Sequence, residues 1–289
     1  MKVAGNRIKH LEDYYHSELD ELYGKEEADS LFSATLEHFL GYKKNGFRLK
    51  REENVNQSDL LLIYDTCKEL KTGKPLQYVL HEAWFYNMKL YVDENVLIPR
   101  PETEELVEII LQKNKSPESL LDLGTGSGCI PLAIKKQLPR TSVHACDVSI
   151  RALEVAKKNA VKNDLDVHFF EADVLKDDLA EKLPGKMEII VSNPPYIKAG
   201  EKELLHKNVI DHEPHLALFV NGSDDILFYR RIIGLCKDLL SPKGKLYFEL
   251  NPLTADKVKS YAEGSGLFSS VDLIKDMSGK MRFLEAIKK

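Results

Sequence analysis

The stretch SLLDLGTGSGCIPLAIKKQL, Ser119 to Leu138, reads as a strand, a glycine-rich turn and a helix in direct succession. Leu120, Leu121 and Leu123 supply an apolar run of strand length. Gly124, Gly126 and Gly128 alternate with Thr125 and Ser127, and the apolar run resumes on the far side. A loop of this composition lets backbone approach a ligand closely at the carboxyl edge of a sheet, beside a helix N-terminus. The dinucleotide fingerprint GxGxxG would need glycine at position 129, where Cys129 stands, so a pyrophosphate cradle is not the natural reading.

Downstream, strand and helix patterns alternate. SVHACDV, DVHFFEAD, EIIVSN, KGKLYFEL, VDLIKD and MRFLEAIK read as strands, and IRALEVAKKNAVKN and DILFYRRIIGLCKDLL as helices. With SLLDLG this makes seven strands, and alternation of this kind builds a largely parallel sheet covered by helices. The last two strands are joined by MSGK with no helix between, which predicts an antiparallel edge hairpin.

Upstream, VLIPRPETEELVEIILQ opens a helix with Pro101 in its first turn and Glu102, Glu104 and Glu105 at its positive end. AWFYNMKLYV (Ala83 to Val92) reads as a hairpin turning near Asn87. The first ~72 residues read as helices. Leu11, Tyr15, Leu19 and Leu22 form one stripe, and Ala28, Leu31, Phe32, Leu36, Phe39 and Leu40 a second. Leu60, Ile63, Tyr64, Cys67 and Leu70 form a third, with Ser58 as its N-cap. The expected division is a helical domain over 1–75, a hairpin connector over 76–98 and an α/β domain over 99–289.

Four strand ends carry the chemistry. The strand after the glycine loop ends at Asp147, where a carboxylate accepts from both hydroxyls of a ribose, or else caps the next helix, a role Ser149 also fits. Asp173 and Val174 follow the third strand, where an adenine would lie. The fourth strand runs into Ser192-Asn193-Pro194-Pro195-Tyr196. Each proline fixes φ and lacks an N–H, and the residue before each is held extended. The product is a stiff loop offering the Asn193 side-chain oxygen and the Pro194 carbonyl as acceptors, with the flat face of Tyr196 beside them. Two acceptors and an aromatic face suit a planar NH2 group aimed at an electrophile.

NPPY behind a GxGxG loop and an acidic second-strand end resembles the class I S-adenosylmethionine-dependent methyltransferases that act on planar nitrogens. GKPLQYVL, VLIPRPETEELVE, LLDLGTGSGCI, VSNPPYI, EPHLALF and DMSGKMRF together resemble the release-factor glutamine N5-methyltransferases (HemK/PrmC-like), over nearly the whole chain. The resemblance implies a Rossmann-like class I domain with a mostly parallel seven-stranded sheet. It implies S-adenosyl-L-methionine as cofactor, with Gly124, Thr125, Gly126, Ser127 and Gly128 at its methionine part, Asp147 at the ribose, Asp173 and Val174 at the adenine, and Asn193 beside the methyl group. Asn193, Pro194, Pro195 and Tyr196 would grip the substrate glutamine, with Asn193, Pro194 and Tyr196 taking part in catalysis; Pro99 and Arg100 would border the pocket. The implied partner is a class 1 peptide chain release factor, methylated on the glutamine of its Gly-Gly-Gln loop. His81 departs from the family pattern, standing where a glycine is usual, and Val174 stands where many members carry an aromatic.

The bulk properties agree with this class. A net charge of −5 weighs against a dedicated nucleic-acid binder, and DNA adenine N6-methylation would call for a basic target-recognition segment. Glutamine methylation of a ribosomal protein and a non-catalytic binding scaffold compete with the release-factor reading. The basic stretch GYKKNGFRLKR (Gly41 to Arg51) reads as a solvated loop or an anionic docking patch. His206, His212 and His215 with Asp211 and Glu213 invite a metal reading, but no metal is expected. Cys67, Cys129, Cys146 and Cys236 show no CxxC pairing and read as buried thiols. No signal segment or membrane span is evident, and a cytoplasmic location is expected, with a monomer as the separate expectation for its assembly.

Overall fold

The computed structural model describes residues 5–43, 46–198, 200, 207–220, 222 and 224–289. Contacts divide the chain into two compact units. One comprises Met1–Glu82 with Lys207–His212, the other Ala83–His206 with Glu213–Lys289. The hairpin thus counts with the α/β unit, whereas the sequence pattern suggests separate boundaries at 75 and 98.

The first unit is built on α1 (Ile8–Tyr23), α2 (Lys25–Leu40), α3 (Gln57–Lys71) and the short α4 (Leu76–Leu80). Ile8, Leu11, Tyr15 and Leu19 are buried against Phe32, Leu36, Ile63 and Leu70. Leu22 sits in the expected stripe but is 54% exposed. The cap of α3 is Asn56 rather than Ser58: Asn56 Oδ1 accepts from the Asp59 N–H at 3.0 Å. His81 ends α4 at φ 51°, ψ 36°, the left-handed conformation that favours glycine, which gives its unusual position a structural meaning. In the basic stretch Phe47 is buried, Lys50 pairs with Glu53 at 3.2 Å and Arg51 with Glu12 at 2.7 Å. Lys44 lies outside the described residues.

The second unit begins with β1 (Ala83–Phe85) and β2 (Met88–Leu90), paired antiparallel around Tyr86 and Asn87. Both turn residues have positive φ, 46° and 57°, as a two-residue hairpin turn matched to strand twist requires. Tyr86 is held there by its N–H, which donates to Glu104 Oε1 at 2.7 Å, and by its hydroxyl, which donates to Glu108. Both acids lie on α5 (Pro101–Lys113), whose first residue is the expected proline.

Then follow β3 (Ser119–Leu123), α6 (Cys129–Gln137), β4 (Ser142–Asp147), α7 (Ile150–Lys162), β5 (His168–Glu171) and β6 (Met187–Ser192). The minor pair β7 (Ile197–Lys198) and β8 (Phe219–Val220) flanks α8 (Lys207–His212) and α9 (His215–Leu218). The chain closes with α10 (Leu227–Leu239), β9 (Leu240–Glu249), α11 (Ala255–Gly264), β10 (Phe268–Lys275) and β11 (Met281–Lys288). Of these, α11 was not anticipated from the sequence.

The seven-stranded sheet has the order β10-β11-β9-β6-β3-β4-β5. β3 pairs parallel with both β4 and β6, while β11 runs antiparallel to β9 and β10, as the missing crossover predicted. The chain fills one side of β3 and then crosses to the other. The crevice beyond the carboxyl ends of β3 and β6 is therefore the switch point where ligands of open α/β sheets bind.

Candidate active site

Neighbouring strands bring the four chemically marked ends into one row. Asp147 Oδ2 accepts from the Gly126 N–H at 2.9 Å, joining the β4 end to the glycine loop. The Ala172 N–H donates to the Asp147 carbonyl at 3.0 Å, which sets the β5 end beside it. On the other flank Ser192 Oγ donates to the Leu123 carbonyl at 2.6 Å, so Asn193 leaves the sheet next to Gly124. Along this edge the order is Asp173, Asp147, the glycine loop, Asn193.

The three glycines have different physical reasons. Gly124 and Gly126 have φ of 78° and 52°, and a Cβ on either would meet nothing within 4 Å: they give positive φ beside open space. Gly128, at φ 79°, lies so near α7 that a Cβ would come within 3.1 Å of Ala156 Cβ. It permits helix packing. The loop is also pinned from behind. Asn159, fully buried on α7, donates from Nδ2 to the Ser127 and Tyr91 carbonyls at 2.9 Å and accepts from the Tyr91 N–H at 2.6 Å. A polar residue on the apolar face of α7, between Ala156 and Ala160, was its only signal in the sequence.

Asp122 is the residue whose role was not foreseen. Side chains alternate along β3, so Asp122 shares a face with the core residue Leu120, and the carboxylate has no exposed surface. Among the described residues no hydrogen bond of good geometry reaches either of its oxygens or the buried Thr125 hydroxyl, although Thr125 lies close enough to favour the charged form. Burial pushes the Asp122 pKa up from 3.8 to about 7; nearby Thr125 opposes this, and Asp147 adds to it. A buried carboxylate without a donor is costly unless a cation or donor arrives from a ligand.

Asp147 accepts from Ser149 N–H at 2.9 Å as well as from Gly126, while Ser149 itself caps α7. Burial raises its pKa, and those backbone donors oppose the rise. Asp173 is held in its own turn. Its carboxylate accepts from the Leu175 N–H at 2.9 Å and pairs with Lys176 at 2.8 Å, and the Lys176 contact lowers its pKa. Val174 is only 8% exposed and packs into the core cluster on that side of the sheet.

Around Asn193 the polar groups answer one another. Asn193 Nδ2 donates to Thr103 Oγ1 at 3.4 Å, and Thr103 Oγ1 donates to Glu249 Oε2 at 2.7 Å. Glu249, ending β9, is 2% exposed, and burial raises its pKa from 4.5 to about 7 against the lowering effects of Thr103, Arg282 and Asn193. Pro194 is buried, and Tyr196 packs partly against the core, its pKa pushed up to about 12 chiefly by desolvation. Arg282 is held by Asp276 at 3.2 Å, and Asp276 also accepts from Ser278 and the Lys280 N–H: the DMSGKMR segment orders itself around one buried acid. Glu213, almost wholly buried, accepts from the Ile98 N–H at 3.2 Å and pairs with Arg100. Its carboxylate thus clamps the segment leading into α5. His206 lies outside the described residues.

Comparisons with known proteins give the family. The profile of the methyltransferase small domain matches residues 102–223. A release factor glutamine methyltransferase of Flavobacterium psychrophilum is 42% identical over 283 residues, covering 96% of this chain and 98% of that protein. The chain belongs to the release factor glutamine methyltransferase family. A second member, from Bacteroides thetaiotaomicron, is 38% identical over 94% of this chain and 97% of its own length. Among solved structures, a methyltransferase from Pyrococcus furiosus superposes with a TM-score of 0.53 over 70% of this chain and 89% of that one, at 21% identity, a likeness of fold. Class I methyltransferases of this kind use S-adenosylmethionine as methyl donor. The residues present fit it: a buried carboxylate left without a well-formed partner among the described residues and an open glycine turn lie beside a second carboxylate already held by the loop. Among the described residues no helix is long and apolar enough to cross a membrane.

Proposed function

We propose that this chain methylates the side-chain amide nitrogen of a glutamine, that of the Gly-Gly-Gln loop of class 1 peptide chain release factors. S-adenosylmethionine supplies a methyl group already activated by its sulfonium centre. The remaining obstacle is the nucleophile, an amide nitrogen whose lone pair is delocalised. Asn193 Oδ1 and the Pro194 carbonyl accept the two carboxamide hydrogens, Tyr196 covers the amide plane, and the lone pair is held on line with the donor. The proton leaves after transfer. On the cofactor side Asp122 would hold the cationic amino-acid part with Gly124 to Gly128, Asp147 would hold the ribose, and Asp173 and Val174 would hold the base. Positioning of this kind is worth roughly 7–11 kcal/mol in favourable cases.

The observation that carries the reading is the asymmetry of Asn193. Its NH2 end is used by Thr103, while its oxygen accepts no hydrogen bond from the described residues, at the strand end adjoining the glycine loop. The reading also takes the enzyme to be a cytoplasmic monomer without a DNA substrate. Incubation with labelled S-adenosylmethionine and either release factor or adenine-containing DNA, followed by mass mapping, tests it. Label on the release-factor glutamine is expected; label on adenine alone overturns the proposal.

A further inference from the structure

An amide's two ends are distinguished only by their partners. We infer that Glu249, acting through Thr103, is a positioning residue that fixes which end of the Asn193 amide faces the substrate. The inference rests on the glutamine-methylating reading above and deepens it.

A threonine hydroxyl has one proton and lone pairs to accept with. An ionised Glu249 is acceptor-only, so Thr103 must donate its proton to Oε2, the 2.7 Å bond. Thr103 Oγ1 then has only lone pairs left for Asn193. The amide can satisfy it with its NH2 end alone, and Asn193 Oδ1 is turned the other way, free to accept from a substrate carboxamide. The relay joins the first turn of α5, the end of β9 and the loop after β6.

Protonating Glu249 lets the chain of donors reverse. The carboxylic O–H donates to Thr103 Oγ1, Thr103 donates to Asn193 Oδ1, and the amide presents NH2 where an acceptor is needed. Two N–H groups then oppose each other and the substrate amide is refused. Glu249 is placed for this change. Desolvation raises its pKa most; Thr103 and Arg282 on β11 lower it, Glu102 on α5 raises it, and Asn193, which also lies close, lowers it. The other ionisable groups around it are Tyr196, Tyr229 on α10, whose hydroxyl donates to the Glu249 carbonyl at 3.1 Å, and Cys129 on α6. Burial holds these phenols and the thiol well above neutrality, leaving Glu249 as the group of this cluster that titrates near pH 7.

The test measures kcat against pH, with cofactor and release factor saturating, for the full chain and for Glu249→Gln, Thr103→Val and Thr103→Ser. The parent should lose activity as pH falls through about 7. Glu249→Gln removes the ionisable group and puts there an amide that can turn either end toward Thr103, so the acid limb should vanish, and with Asn193 no longer held in one orientation kcat should be lower by roughly 10- to 100-fold. Thr103→Val should do the same, and Thr103→Ser, which keeps the hydroxyl, should restore most of the loss. Affinity for S-adenosylhomocysteine by calorimetry should stay within about threefold in all three, a result that a collapsed fold would not give. An unchanged acid limb in Glu249→Gln, or Thr103→Val at parental kcat beside an impaired Glu249→Gln, overturns the relay and leaves the proposed activity standing. A parent chain that leaves the release-factor glutamine unmodified overturns both.

Discussion

The two flanks of the crevice are built on opposite electrostatic plans. On the glycine-loop side the protein leaves its polar groups incomplete: among the described residues Asp122 and Thr125 are buried without well-formed partners, and Gly124 and Gly126 face open space. Beyond the end of β6 they are closed on one another, Asn193 to Thr103 to Glu249, with Arg282 fixed by Asp276. The first flank, open and polar, is suited to binding a ligand. The second is tied together beforehand in all but the Asn193 oxygen, an arrangement suited to orientation. Unsatisfied buried charge is destabilising until something binds it, whereas a satisfied network is rigid without help.

That contrast predicts different losses on the two sides. The largest effect belongs to Asn193→Ala, expected to lower kcat by about two orders of magnitude or more while cofactor affinity changes far less, by analogy with removing one aimed polar group. Steady-state kinetics beside calorimetry would show it, and near-normal turnover would break the comparison. Next comes Asp122→Asn, which should weaken cofactor binding by roughly tenfold, the loss of about one charge-assisted hydrogen bond.

The same substitution should stabilise the unliganded chain. Folded Asp122 retains its proton up to about pH 7, whereas its ordinary value is 3.8. The native state therefore binds more protons across that interval, and stability drops as pH rises through it. Asparagine escapes this, so the gain in melting temperature should be clear at pH 8, about 5 °C, and small at pH 4. An equal gain at both would mean that the carboxylate is not responsible.

Gly128→Ala sharpens the distinction among the glycines. It strains a positive φ and presses on Ala156, and should destabilise by about 1–3 kcal/mol in denaturant titrations. Gly126→Ala strains a positive φ too but presses on nothing, so it should destabilise less than Gly128→Ala and also lower cofactor affinity. The smallest expected effect is His81→Gly in the helical unit. It relieves a left-handed residue and should gain about 0.5–1 kcal/mol without altering either flank.

Much of this was legible beforehand because it is local. The 3.6- and 2-residue periods, the positive φ that glycine tolerates and the fixed φ of proline are properties of a few neighbouring residues. They announced the alternating strands and helices, the hairpin at Asn87, the glycine turn and the stiff NPPY loop. Errors arose where one local signal had close rivals. Asn56 and Ser58 are both good caps, and only the geometry of α3 selects Asn56. The polar sequence of α11 offered a weak helical pattern, and its burial against the sheet edge decided the matter.

By itself, then, the sequence determined the class of fold, the row of strand ends and the identity of the groups standing there. Tertiary structure alone decided which of those groups are satisfied. Thr103 and Glu249 lie 146 residues apart, and Ser192 and Leu123 lie 69 apart. No periodicity reaches across such distances. Whether a carboxylate is left bare like Asp122 or closed into a relay like Glu249 depends on which strands become neighbours, and that is settled by packing of the whole sheet.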